Sequence, residues 1–234
     1  MYVKLLLIQA FFVSVASAEH VDLHVVTEHW PPYIIQAQQP EGIVTAQVKQ
    51  ILDETNLSYE INLYDWAKSY YLAKSKPNIL IYSIYRSPDR EAHFHWFCPI
   101  HEPTPIYAFK LAENRSNIDT LESLKKLRVA VMRGDNSHEY FLNNGFRNGV
   151  NLYVSSTEKA NVAKLLKGEI DVVIQSKASL QYRLKQLGAG DQKIVSGYKP
   201  HKTEPIGHCM ALSKNSDKAI IDEVSRAFEI WKKR

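Results

Sequence analysis

Short apolar runs alternate with amphipathic stretches along most of the chain. Leu23, Val25 and Val26 belong to a strand candidate that ends at Thr27. After Gly42, the residues Val44, Val48, Ile51 and Leu52 recur at helical spacing. Segment 59–64 alternates like a half-buried strand, and 79–84 is a continuous apolar run of strand length. The spacing then predicts a strand over 128–132 and a short helix over 137–144 closed by Gly145. Next come a strand over 151–154, a helix over 158–167 closed by Gly168, a strand over 170–174 and a helix over 178–187 closed by Gly188. Strands are expected at 193–197 and 208–213. A final helix carries Ile220, Val224, Phe228 and Trp231 on one stripe. Repeated strand–helix alternation indicates an α/β protein with mostly parallel sheets.

Two proline-bearing segments interrupt this alternation: His101-Glu102-Pro103-Thr104-Pro105 and Lys199-Pro200-His201-Lys202-Thr203-Glu204-Pro205. They stand about one small domain apart, so they are read as two crossings between lobes. The expected division is residues 19–103 plus 206–234 as one lobe and 104–205 as the other. Residues 1–18 read as a signal peptide. Lys4 gives a positive start, segment 5–15 is almost wholly apolar, and Ala16-Ser17-Ala18 offers small residues for cleavage after Ala18. That apolar run is shorter than the ~20 residues that span a bilayer. An exported, periplasmic product without stable membrane insertion is therefore expected. Hydrophobic residues make up 45% and charged residues 23% of the chain, an ordinary globular composition that excludes a disordered chain. A net charge of +4, with lysines and arginines scattered, gives no reason to expect nucleic acid as a partner.

Several segments together resemble the family 3 extracellular solute-binding proteins, the class that includes amino-acid receptors of ABC transporters. Val25-Val26-Thr27, Trp30-Pro31-Pro32-Tyr33 and Gly42 are similar to the family's opening strand and Pro-Pro-aromatic loop. Trp66 falls at its second aromatic stretch. Arg86-Ser87-Pro88-Asp89-Arg90, with Phe94, Trp96 and Pro99 after it, resembles the family's Thr-x-x-Arg stretch and its Phe-Ser-x-Pro-Tyr segment. The run from Leu121 to Lys125, then Val129-Ala130-Val131 and Gly134, resembles the start of the second lobe. Lys167-Gly168-Glu169-Ile170-Asp171 and Met210-Ala211-Leu212-Ser213-Lys214 resemble later passages. The resemblance runs from about residue 21 to 231. It implies a two-lobed periplasmic binding protein type II fold, α/β in class, with a central ligand cleft.

It also implies roles for residues. Arg90 stands where the family's arginine holds a ligand carboxylate, a task that suits the fixed donor fork of a guanidinium. Trp30, Tyr33 and Trp66 offer aromatic faces to a ligand, or pack the lobes. Tyr85 and Ser87 lie where the family makes backbone and hydroxyl contacts. Arg133 and Ser137 flank a strand-to-helix junction whose free N–H groups suit an anion, while Asp135 or Asn136 would cap the helix. The acid that usually holds a ligand ammonium is replaced by Gln175 or Ser176, which puts an ordinary α-amino acid in doubt. Glu28 would substitute from the first lobe. The chain also stops at Arg234 without the family's last turn and helix, so first-lobe packing should differ.

Cys98 and Cys209 form an even pair, which permits one disulfide across the connecting strands or two buried thiols. His93, His95, Cys98 and His101 crowd together, but their spacing matches no zinc pattern, so no metal site and no cofactor are expected. The leading expectation is a monomeric, non-enzymatic receptor. It would capture a small polar, carboxylate-bearing molecule for an ABC-type permease or a membrane sensor. The alternatives are an orphan sensory protein of this fold and, behind it, a dehydratase-like enzyme using Glu28 as its acid.

Overall fold

A computed structural model describes residues 21–201 and 207–234. The expected signal peptide at 1–18 and residues 202–205 of the second interruption lie outside the described residues. No helix among the described residues is long and apolar enough to cross a membrane.

The first half runs β1 (Leu23–Thr27), α1 (Ile43–Leu52), β2 (Tyr59–Leu63), α2 (Trp66–Ser75), β3 (Ile79–Ile84), α3 (Pro88–Glu91) and β4 (Phe94–His101). The chain then forms β5 (Ile106–Leu111), α4 (Leu121–Leu124), β6 (Val129–Met132), α5 (Asn136–Asn143), β7 (Leu152–Ser155), α6 (Glu158–Leu166), β8 (Val172–Ser176), α7 (Lys177–Gln186) and β9 (Ile194–Ser196). It finishes with β10 (His208–Ser213) and α8 (Lys218–Trp231). One sheet has the order β2-β1-β3-β10-β4 and the other β7-β6-β8-β5-β9.

The sheets are mixed rather than mostly parallel. β1 pairs in parallel with β2 and β3, as β6 does with β7 and β8. The strands that enter or leave the crossings run the other way: β10 is antiparallel to β3 and β4, and β5 to β8 and β9. A chain that leaves a sheet and later returns to its middle need not keep its direction, and helical spacing carries no sign of that reversal.

Each sheet is covered on both faces. In the first, Val44, Val48, Ile51 and Leu52 of α1 meet Ile220, Val224, Ala227 and Phe228 of α8 over β1, β3 and β10. Each large apolar side chain buried there contributes ~1.5–3 kcal/mol. α2 covers the opposite face, and the helical pattern missed it. Its buried positions are Trp66, Ser69 and Ala73, so a serine interrupts the apolar stripe. That serine is satisfied internally, its hydroxyl donating to the Thr27 carbonyl at 2.8 Å. Gly42, before α1, has φ +113°, and a Cβ there would stand 2.4 Å from the Tyr33 carbonyl oxygen. Only glycine lets the Trp30–Tyr33 loop lie that close.

His208, at the first residue of β10, binds together the places where the chain crosses. Its ring shares hydrogen bonds with Ser83 Oγ (2.7 Å) at the end of β3 and Thr104 Oγ1 (2.8 Å) on the first crossing. Trp30 stacks on it, with ring centroids 5.2 Å apart. Burial lowers its pKa to about 3, so the ring is neutral, giving one hydroxyl a proton and taking one from the other.

Cys98 and Cys209 are bonded, with Cα atoms 4.6 Å apart. They lie on β4 and β10, neighbours in one sheet. The bond thus pins two strands already paired, and it sets no limit of its own on lobe motion. It closes a loop of 111 residues, a length at which losing a native disulfide costs about 2–5 kcal/mol. Replacing both cysteines by serine should lower the melting temperature by roughly 5–15 °C in a calorimetric scan. A fall of less than about 2 °C would show that the strand pairing alone supplies the constraint.

Candidate functional site

In both sheets the parallel strands end on the same side. Strand order reverses between β1 and β3 in one and between β6 and β8 in the other. Side chains just past the ends of these strands leave the sheet where no neighbouring crossover covers them, which is where open α/β sheets form ligand crevices. The crevices of the two sheets face each other. Between them lies a cavity of about 60 Å³, room for roughly four to six waters by the same measure.

Its walls come from both sheets. Glu28 and Trp30 follow β1, Trp66 opens α2, Ser83 is the penultimate residue of β3, and Tyr85 and Arg90 come after that strand. From the other side come Met132, Asp135, Asn136 and Ser137 after β6, Glu158 at the start of α6, and Ile174 and Gln175 of β8. Thr104, Ile106, Lys199 and His201 close the crossing side.

Seven of the ten residues singled out in the sequence meet in this cavity: Glu28, Trp30, Trp66, Tyr85, Arg90, Ser137 and Gln175. Three do not line it. Tyr33 packs behind Trp30, ring centroids 4.8 Å apart. Arg133 is exposed. Ser87 is the cap residue of α3, and its buried Oγ has no hydrogen-bond partner. Ser176, the other replacement for the missing acid, instead caps α7, its hydroxyl accepting from the Ser179 amide at 3.2 Å.

Arg90 is 1% exposed. It is not a surface arginine paired with a neighbour; Arg86 takes Glu91 in that way, in a two-pronged pair of 2.5 and 2.7 Å. The Arg90 Nη2 crosses to the other sheet's side, donating to the Gly134 carbonyl (3.3 Å) and to Glu139 Oε1 (3.2 Å). Its Nε has no partner. The guanidinium lies 5.1 Å from the Tyr70 ring centroid and 5.6 Å from that of Trp66. Trp66 Nε1 also spans the gap, donating to the Gly134 carbonyl at 2.7 Å. Gln175 is 3% exposed, and its Nε2 donor is unpartnered.

Sequence reasoning missed the acidity of this cavity. It named only Glu28 as an acid toward the ligand, but Asp135 and Glu158 stand beside it. Asp135 is the cap residue of α5, accepting from the His138 amide at 2.6 Å. Glu158 is the first residue of α6; it accepts from the Ser179 hydroxyl and lies 3.8 Å from Arg183 Nε. Burial, then the neighbouring Glu158 and Asp135 charges, holds Glu28 well above the usual carboxylate range. Burial likewise pushes Asp135 up to about 7 and raises Glu158. The usable signal was position: both residues open a helix directly after a strand of the second sheet.

The Asp135 shift carries a sign for stability. Its carboxyl keeps a proton in the folded chain over a range where the unfolded chain has lost it. The contribution is therefore full below the ordinary aspartate value of 3.8 and drains away as pH rises through about 7. Asp135→Asn retains a capping side chain and removes the titration. The variant should match the parent near pH 4 and be more stable at pH 8, by at most ~4 kcal/mol. Melting temperatures across that pH range test this; parallel profiles would refute it.

No protein-family model matches the sequence, and a search of curated proteins finds no significant match. Solved structures do match. A histidine kinase sensor domain with similarity to periplasmic binding proteins superposes with a TM-score of 0.74 at 20% identity, over 92% of this chain and 91% of that one. An ancestral arginine-binding protein, solved with glutamine and with arginine, gives 0.73 at 21%, over 90% and 92%. An amino-acid ABC transporter substrate-binding protein from Streptococcus pneumoniae, bound to L-arginine, gives 0.72 at 19%, over 90% and 88%. The fold is the two-lobed α/β fold of the periplasmic binding proteins, as the resemblance in sequence implied.

Proposed function

We propose that this chain is a non-enzymatic receptor outside the cytoplasm, whose lobes close on a small polar, carboxylate-bearing molecule, an amino acid or a related acid. The observation that carries this reading is Arg90. Arg90 lines a cavity shared by two sheets, is 1% exposed, and has an Nε without a hydrogen-bond partner. A buried charge of that kind gains most from an anionic partner that matches its geometry. Gln175 adds a second unpartnered donor. Asp135 and Glu158 supply acids for a ligand ammonium, so the neutral residues at 175 and 176 no longer count against an amino acid. Sheet membership supports lobes of residues 19–103 plus 206–234 and 104–205.

Two destinations fit this reading: delivery to an ABC-type permease and presentation to a membrane sensor. The likeness to a kinase sensor domain favours keeping the second beside the first. A dehydratase-like reaction is the remaining alternative, since the cavity holds three carboxyl groups where the sequence suggested one.

A thermal-shift screen against amino acids, dicarboxylates and related acids tests the proposal. A ligand at a hundred times its dissociation constant adds about 2.7 kcal/mol, roughly 5–10 °C for a chain of this length. Arg90→Ala should abolish the shift and Arg90→Lys should recover little of it, because an ammonium lacks the fork. The bound compound should be recovered unchanged. A full shift in Arg90→Ala would end the carboxylate-clamp assignment, and a converted ligand would turn the reading toward an enzyme.

A further inference from the structure

The backbone is distorted in two places around the contact of His208 with Ser83 and Thr104. Ser83 has φ +62°, in the left-handed region that a serine seldom occupies and that persists only where the surroundings enforce it. β10 shifts register at the same end, between Cys209 and Met210 against β3 and between His208 and Met210 against β4. Irregularities of this kind re-aim a side chain beside a site. The His208 ring is fully buried, with Trp30, Tyr33, Tyr85 and His101 around it at centroid distances of 5.2 to 5.3 Å. Walled in this way, the ring has little freedom to turn, and what can move is its proton.

Its two hydroxyl partners are nearly matched. Ser83 Oγ lies 2.7 Å from Nδ1 and Thr104 Oγ1 lies 2.8 Å from Nε2. Tyr85 Oη also reaches Nε2, at a longer 3.4 Å. His101 faces the ring from β4, and a charge there would press it further toward its neutral form. A neutral imidazole carries one ring proton, and each hydroxyl carries one. With the ring proton on Nδ1, Thr104 spends its own on Nε2 and Ser83 keeps its own to donate elsewhere. With the ring proton on Nε2, the roles exchange. Ser83 and Thr104 both line the ligand cavity. At any moment, therefore, one of these hydroxyls has a proton to offer and the other can only accept.

We infer that Ser83, His208 and Thr104 form a tautomer relay that sets what this wall of the cavity takes: a neutral group with one donor and one acceptor, such as a hydroxyl. A second carboxylate only accepts, an ammonium only donates, and an alkyl end does neither, so each leaves one hydroxyl of the pair unmatched. This deepens the receptor reading and rests on it. The exchange conserves protons. The ring gives one to a hydroxyl and takes one from the other, and an occupant touching both hydroxyls gives and receives one in turn.

Two measurements on the full chain test this. Nitrogen chemical shifts of isotope-labelled histidine rings report which nitrogen of His208 carries the proton. The unmodified chain should show both tautomers in exchange. Ser83→Ala should move the population to Nε2–H and Thr104→Val to Nδ1–H, because a buried N–H facing the deleted hydroxyl is left unsatisfied. Each variant is checked for an intact melting transition. Calorimetric titration then compares β-hydroxypropionate with propionate and malonate, and serine with alanine and aspartate. In each series that binds, the hydroxyl compound should lead by about tenfold, and the lead should fall toward one in Ser83→Ala. A single tautomer that neither substitution moves overturns the relay and leaves the receptor reading intact. So does a series that binds without the hydroxyl compound leading, or a lead that survives Ser83→Ala. If all of these compounds fail while another acid of the wider screen binds, the relay falls alone. If no acid binds, both fall.

Discussion

Three carboxyl groups withdrawn from water where two sheets face each other set the terms for the rest of this molecule. Glu28, Asp135 and Glu158 come from different elements, yet each raises or feels the charge of another. An isolated buried carboxylate is costly, and the protein offsets that cost only in part. Asp135 has a backbone amide, Glu158 has a serine hydroxyl, and Arg183 stands off at 3.8 Å. The groups respond by holding their protons more tightly.

The scaffold supplies the positions. Asp135 and Glu158 sit at the starts of α5 and α6, where free N–H groups and the helix dipole favour negative charge. Trp66 and Arg90 of the first half converge on the single carbonyl of Gly134 in the second. Polar contact between halves is therefore concentrated at the same strand ends that line the cavity. His208 extends this arrangement to the crossings. Ser83, Thr104 and Tyr85 touch its ring and also line the cavity, while Trp30 stacks on it from the cavity side.

Much of this was legible in the sequence because it comes from local periodicity. β3 and β10 are buried at every position, and apolar runs reported both. α2 was not legible, because one of its buried positions is a serine whose partner, Thr27, lies 42 residues away. The antiparallel course of β5 and β10 was hidden for a similar reason: direction within a sheet is settled by distant strands. In the site, residues within recognisable motifs, such as Trp30 and Arg90, came through. Glu158 did not. Its local reading is an ordinary first-turn glutamate, and only the meeting of the sheets gives it a neighbour in Glu28.

The disulfide shows how the same fold separates rigidity from adjustment. Cys98 and Cys209 reinforce β4 and β10, strands that already share a ladder beside the crossings. Directly after the second crossing, Gly207 has φ +96°, and a Cβ there would lie 2.3 Å from the His101 carbonyl oxygen. The chain thus packs backbone against backbone at the edge of the stapled pair, leaving no side chain to lock the approach. On the proposed reading, a covalent tie within one sheet is what a closing receptor needs. It ties β4 to β10 within one sheet, so that closing on a ligand would move one half against the other instead of parting that pair.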